Sequence, residues 1–307
     1  VAIHPALRRA VKLVTRLRGD MQSSYKTYRK LDKVSRRLTF TKRHYKKADF
    51  QVRHFEHLIP LRLYQAPHAS HDDLIIFFHG GGWVTGNIDS YDRTCQDISA
   101  QTGHSVLAVD YRLAPEHPFP AALLDCYAVT QRVLTGNAGV SPERVTLMGD
   151  SAGGNLAAAV SLLAKEAGEP VPARQILIYP SVAARREAYP SYHLFGEDYL
   201  LTKKRVEDYL ALYTSKPEDL DDCYLAPILA HDLTGQPETL IITADHDLLR
   251  DEGEAYGHRL LDAGNEVIVY RLDDALHGMF TLPVSVPQVA KCYELINDFL
   301  QRRGNQH

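Results

Sequence analysis

The sequence predicts an α/β fold, a mostly parallel central sheet with helices on both faces and a helical cap. Three observations predict it. Short apolar runs alternate with helical stretches through most of the chain. A glycine-rich pentapeptide sits where one of those runs passes into a helix. One connection, 181–235, is too long to be a plain loop.

Taken in order, residues 3–18 set Ile3, Leu7, Ala10, Val14 and Leu17 on one helical face, with Arg8, Arg9, Lys12, Arg16 and Arg18 elsewhere. The next 30 residues are polar and weakly periodic, and read as helical pieces and loops. Residues 51–58 and 61–65 predict a strand pair interrupted at Pro60. The main sheet follows, with strands at 74–78, 106–109, 145–148, 176–179, 240–243 and 267–270. Helices are predicted at 90–101, 119–135, 152–167, 249–263 and 287–302. The long connection 181–235 carries a helical pattern at 203–214 and is expected to form a lid over the carboxyl edge of the sheet. The expected organisation is therefore a basic arm at 1–50, part of a helical cap, and a catalytic domain at 51–307 with the cap insertion at about 181–235.

Of the 307 residues, 45% are apolar and 24% charged, enough to bury a full core. No stretch of 18 or more apolar residues occurs, so no membrane span is expected. The net charge of −3 conceals an asymmetry: residues 1–50 hold 15 Lys or Arg against three Asp, and the remainder 20 basic against 35 acidic side chains. Cys95, Cys126, Cys223 and Cys292 are far apart and form no C-x-x-C, which argues against a disulfide framework or zinc site and suits a reducing cytoplasm. No signal-peptide pattern opens the chain, and it starts at Val rather than Met, which leaves room for residues before it.

Gly149-Asp150-Ser151-Ala152-Gly153 has the form G-x-S-x-G. Between a strand and a helix, that pentapeptide makes a nucleophile elbow, a tight turn that projects the Ser hydroxyl at a helix N-terminus. Its plainer meaning is a strand-to-helix turn with a capping Ser. His79-Gly80-Gly81-Gly82-Trp83 follows another strand. Glycines there let backbone N–H groups approach a ligand, and acyl transfer needs such donors where charge collects on a carbonyl oxygen. Gly81, Gly82 and Ala152 are the predicted oxyanion-hole donors. No phosphate-loop pattern accompanies these glycines. A Ser nucleophile needs a base and a group to orient it, and both are expected later in the chain at strand ends. His277 and Asp247 have those positions, with Asp245 and Asp251 as competing acids. Arg112 and Glu116 suggest a salt bridge bracing a Pro-rich loop. His68 and His71 read as polar loop residues. No tight His spacing suggests a catalytic metal.

With these residues in hand, the chain resembles the hormone-sensitive-lipase-like esterases, a bacterial family of the α/β-hydrolase fold that includes acetyl esterases. The resemblance rests on 79–83, on Tyr111-Arg-Leu-Ala-Pro-Glu-His-Pro-Phe-Pro120, on 149–155, and on Asp247-Leu-Leu-Arg-Asp-Glu252 followed by His277-Gly278. It implies Ser151 as nucleophile, Asp247 as acid, His277 as base, and a hole built from Gly81, Gly82 and Ala152. It also implies a serine carboxylesterase that uses no cofactor and acts on small esters with acyl chains of about C2 to C6. Trp83, Asp150, Tyr111 and Met279 are candidate pocket residues. Two positions depart from the family: Leu248 stands where Pro is usual, and Met279 precedes Phe280 where an aromatic residue commonly follows His-Gly.

The rival readings are a peptidase or amidase of the same fold, and a non-catalytic small-molecule-binding protein like the related plant gibberellin receptors, which lack the His that His277 provides here. The expected partner is a small-molecule ester, with no nucleic acid, since no recognised binding motif accompanies the basic patch. A homodimer is a candidate assembly, and residues 1–48 are a candidate for weak contact with an anionic surface.

Overall fold

A computed structural model describes residues 19–35, 46–136 and 140–302. The helix predicted over 3–18 lies outside them. The described chain forms one eight-stranded sheet in the order β1-β2-β4-β3-β5-β6-β7-β8. The strands are β1 (Lys46–His54), β2 (His57–Gln65), β3 (Ser70–Phe78), β4 (His104–Val109), β5 (Val145–Asp150), β6 (Arg174–Ile178), β7 (Glu238–His246) and β8 (Val267–Leu276). β3 to β8 run parallel, while β1 and β2 form an antiparallel hairpin that joins β4 antiparallel. The sequence-predicted strands all appear, most of them extended by a few residues.

The hairpin differs from expectation. Pro60 does not interrupt the pair; it lies inside β2 opposite Gln51, and the turn is at 55–56. A proline costs a strand only its N–H, and the Pro60 carbonyl still accepts from the Asp110 N–H at 3.0 Å.

Side-chain alternation along the strands divides the core into two layers. Ile76, Phe78, Leu147 and Ile241 face one layer with α3 (Ala121–Thr135), α4 (Ala152–Glu166) and α7 (Arg250–Asp262). Ile75, Phe77, Met148, Leu240 and Ile242 face the other with α2 (Asp92–Thr102) and α8 (Pro287–Gln301). Strands buried on both sides explain why these runs read as continuous apolar stretches instead of alternating ones.

The remaining helices are α1 (Met21–Ser35), α5 (Pro190–Leu194) and α6 (Lys203–Tyr213). Helix α1 lies against α6: Asp208 accepts from the Met21 N–H at 3.2 Å and from Gln22 Nε2 at 3.0 Å. Arg29 ties α1 to the sheet edge through the carbonyls of Val84 and Ala114, both at 2.7 Å, and through Glu116 at 3.0 Å. Arg112 and Glu116 therefore brace different things, because Arg112 forks onto buried Asp125 while Glu116 pairs with Arg29. The start of the long connection is pinned by a buried ion pair, Arg186 to Glu252 at 2.7 Å, whose carboxylate also accepts from the N–H groups of Val182 and Ala183. No helix among the described residues is long and apolar enough to cross a membrane.

Candidate active site

Ser151 occupies the turn between β5 and α4 with φ 56° and ψ −117°, a conformation an L-residue adopts only when its surroundings force it. Here they do. The Ser151 N–H donates to the Ile178 carbonyl at 2.9 Å, and its own carbonyl accepts from Asn155 and Ser181 at 3.1 and 3.2 Å. Gly153 lets the helix start directly against the end of β3: a Cβ there would lie 1.9 Å from the Phe78 carbonyl oxygen.

His277 follows β8, and Asp247 follows β7. The His277 Nε2 lies 2.9 Å from Ser151 Oγ, and its Nδ1 lies 2.7 Å from Asp247 Oδ2. A carboxylate only accepts, so the ring proton sits on Nδ1 and Nε2 is left to accept from the Ser hydroxyl. Asp247 is almost fully buried and its other oxygen accepts from the Leu249 N–H at 3.1 Å. The two competing acids are engaged elsewhere: Asp251 takes the Ser191 N–H at 2.7 Å and Arg250 at 2.8 Å, and Asp245 lies 3.6 Å from Arg250.

The glycine loop runs beside Ser151. Among the described residues, the N–H groups of Gly81, Gly82 and Ala152 donate to no protein acceptor, so all three are available to a ligand oxygen. Gly82 has φ +61°, and a Cβ on it would lie 2.3 Å from the Tyr209 ring of α6. The loop is held from below. The Gly80 N–H is shared between Asp150 Oδ1 at 2.9 Å and the Tyr91 hydroxyl at 3.1 Å, while that hydroxyl donates to Asp150 Oδ2 at 3.0 Å. Burial pushes the Asp150 carboxyl up to about 6, against the lowering effect of these two donors.

Ser151, His277, Gly81, Gly82 and Ala152 border one cavity of about 410 Å³. Trp83 borders it too, with its indole stacked on Tyr213 at 4.5 Å. Asp150 borders it as a brace, its oxygens already committed to Tyr91 and Gly80. The other two candidate pocket residues do not reach it. Tyr111 stacks behind His79 at 4.2 Å and donates to the His79 carbonyl, and Met279 packs into the core layer of α8. Leu248, at the departure from the family pattern, packs with Tyr192, Leu201 and Val206.

Several bordering residues have no signal in any motif: Met21 and Tyr28 of α1, Arg205 and Tyr209 of α6, and Tyr91. Tyr179 stands behind His277 with ring centroids 4.7 Å apart, and its hydroxyl accepts from the Phe280 N–H at 3.1 Å. Two clusters of His and carboxylate oxygens elsewhere, His54-His57-Asp125 and Asp245-His246-Asp274, have potential ligand atoms within 4.8 Å of one another, and neither borders this cavity.

A Ser hydroxyl bonded to an imidazole, a carboxylate behind that imidazole and three free N–H donors can together add an oxygen nucleophile to a carbonyl. Comparison with known proteins places the chain among ester hydrolases. Residues 75–281 match the family described as the alpha/beta hydrolase fold. Carboxylic ester hydrolase LipN of Mycobacterium tuberculosis is 40% identical over 233 residues, 73% of this chain and 61% of LipN. An arylesterase of Saccharolobus solfataricus is 33% identical over 244 residues, 78% of this chain and 79% of that protein. The chain thus spans less than two thirds of LipN's length and more than three quarters of the arylesterase's. Among solved structures, a hyperthermophilic esterase from the archaeon Pyrobaculum calidifontis superposes with a TM-score of 0.89 at 31% identity, covering 98% of both chains. The chain belongs to the hormone-sensitive-lipase-like esterases of the α/β-hydrolase fold.

Proposed function

We propose that the protein is a serine carboxylesterase acting on short acyl esters, about C2 to C6, through an acyl-enzyme. The observation that carries this is the hydrogen-bonded line from Ser151 through His277 to Asp247, at 2.9 and 2.7 Å. His277 takes the hydroxyl proton as Ser151 attacks the ester carbonyl, and Asp247 holds the ring in the needed tautomer and stabilises the imidazolium. The N–H groups of Gly81, Gly82 and Ala152 meet the oxyanion, each contributing about 3–4 kcal/mol as measured for comparable donors. His277 then protonates the leaving alcohol, and a water activated by the same ring releases the acid. Besides the ester and that water, the groups these steps use are side chains and backbone N–H groups of the chain.

The short-chain reading draws support from the cavity's size and from the bulk of Trp83 and Tyr209 around Gly82. The cap reading, with the arm at 1–50 and the insertion at about 181–235 both covering the cavity, draws support from Met21 and Tyr28 on one side and Leu201, Arg205, Val206 and Tyr209 on the other. Four free cysteines, three of them buried, favour a cytoplasmic location.

The test is hydrolysis of p-nitrophenyl esters from acetate to palmitate, with Ser151→Ala as control. Activity peaking at short chains and lost in the variant is expected. A peak at long chains would replace the short-chain reading, and no ester hydrolysis from folded protein would move the substrate to an amide.

A further inference from the structure

Arg205 stands out among the residues that border the cavity. It is 9% exposed, on the α6 helix that closes one side. Its Nη2 donates to the Tyr28 hydroxyl at 3.3 Å, and its guanidinium lies over the Tyr28 ring at 4.7 Å. Its Nη1 is buried with no acceptor. Buried charges are normally paired, because a guanidinium taken from water without an anion loses hydration that a phenol does not replace.

No described carboxylate supplies that anion. Of the two acids on its own helix, Glu207 is engaged by the Tyr192 hydroxyl, and Asp208 is occupied by the Met21 N–H, Gln22 and Lys204. Asp20 accepts from the Ser23 N–H and pairs with Lys204. Residues 1–18 and 36–45, which the structure does not describe, contain no Asp or Glu, and Asp32 is the one acid among the residues of α1 whose side chains are not described. The wall of the cavity that Arg205 borders also carries apolar side chains, among them Met21, Leu201, Val206 and Leu249. A cation kept in such a wall, beside the nucleophile's cavity, has the chemistry of a receptor for an anion that arrives with the substrate.

We propose that Arg205 binds a carboxylate on the ester substrate, remote from the scissile bond, so that the preferred substrates are esters with a free carboxylate. This rests on the serine esterase reading for the reaction itself. The ester carbonyl sits at Ser151 and the N–H groups of the glycine loop; the remote carboxylate reaches Arg205 and displaces or shares the Tyr28 hydroxyl. Arg suits this role, since its planar fork bonds a carboxylate through two N–H groups. The proposal also gives the basic arm a use. Helix α1 belongs to that arm, in which 15 Lys or Arg face three Asp, on a body that is otherwise acidic. Net positive charge on that arm favours the approach of anionic esters.

The experiment has a binding arm and a turnover arm. In the binding arm, calorimetry compares adipate with its neutral counterpart adipamide on the unmodified protein. In the turnover arm, kcat/KM is compared within two pairs: monoethyl adipate against ethyl adipamate, with the charge on the acyl side, and 4-acetoxybutyrate against 4-acetoxybutyramide, with the charge on the alcohol side. Adipate is expected to bind at least about tenfold more tightly than adipamide, and one pair is expected to favour its anion by a similar factor, mostly through KM. The favoured pair tells which side of the ester reaches Arg205. Arg205→Gln is expected to abolish the anion's advantage, and Arg205→Lys to keep part of it. Equal or weaker binding of adipate overturns the proposal, as does an anion preference that survives in Arg205→Gln. Should Arg205→Gln not fold, the wild-type comparisons and Arg205→Lys still decide. If wild-type protein hydrolyses none of the four esters, the esterase reading fails, and adipate binding judges the Arg205 site by itself.

Discussion

Ser151 and Arg205 border the same cavity, yet they are held by opposite means. Ser151 is fixed by three backbone hydrogen bonds in a turn it would not adopt alone, and its side chain ends on a His whose other nitrogen is also bonded. Arg205 hangs from a helix contributed by the long connection, touching one phenol of α1 and leaving a nitrogen without an acceptor. The sheet edge is over-determined, as a reacting centre must be to keep its geometry within a fraction of an ångström. The helices above it border the cavity through contacts between parts of the chain far apart in sequence. Chemistry is thus expected to depend on the edge, and selectivity on the helices.

The largest effect that would sharpen this contrast is on the edge. Asp247→Asn leaves the ring contact but favours the wrong tautomer, and kcat for a short p-nitrophenyl ester is expected to fall by about 10⁴-fold. Asp245→Asn, two residues away and turned toward Arg250, is expected to change it by less than about tenfold. Equal losses in both would mean that Asp247 is not the acid.

Next comes the anchor between the two regions. Glu252 is fully buried on Arg186 and on two N–H groups at the start of the long connection. Glu252→Ala leaves a buried guanidinium unpaired, and urea unfolding is expected to show a loss of about 3–5 kcal/mol. A loss below about 1 kcal/mol would show that the connection is held by its apolar contacts instead.

A smaller effect tests where edge and helices meet. Gly82→Ala would place a methyl 2.3 Å from the Tyr209 ring and force φ +61° on a residue with a Cβ. Its kcat is expected to fall by about 10²-fold, the size of losing one oxyanion donor. Adding Tyr209→Ala should recover part of that loss, since the clash is removed while the backbone strain stays. No recovery would place the whole cost in the backbone.

The smallest effect concerns pH. The Asp150 carboxyl titrates near 6 in the folded chain against an ordinary value near 3.8, because burial penalises its charge. The native state therefore holds the proton over a range where the unfolded chain has lost it, and stability falls as pH rises through roughly 4 to 6. Asparagine cannot titrate. The stability of Asp150→Asn relative to wild type is thus expected to rise between pH 4 and pH 7, by roughly 2–3 kcal/mol. A gap that stays flat with pH would mean that Asp150 is charged throughout.

How much of this was legible in the sequence follows from the same contrast. Ser151, Asp247, His277 and the donors at Gly81, Gly82 and Ala152 sit where strands end, and a strand's end can be read from a local apolar run. Their convergence follows from parallel strands presenting the same edge. Tyr111 and Met279 neighbour the motifs, but adjacency along the chain does not say which way a side chain turns; one stacks behind His79 and the other faces the core. Pro60, which lacks an N–H, predicts a break, and only the pairing on both sides of β2 shows that the strand tolerates it. Met21, Tyr28, Arg205 and Tyr209 belong to no motif, and they come together at the cavity only where α1 meets α6, more than 180 residues apart, at Met21 and Asp208. Their traces in the sequence are the helical pattern at 203–214 and the basic excess of the arm.

The central claim is that Ser151 is the nucleophile. Its most direct test is peptide mapping by mass spectrometry after reaction with a fluorophosphonate. One adduct per chain, on the peptide containing Ser151 and absent from His277→Ala, is the result expected. Full inactivation with the adduct on another residue, or an active protein that takes up no reagent, would contradict it.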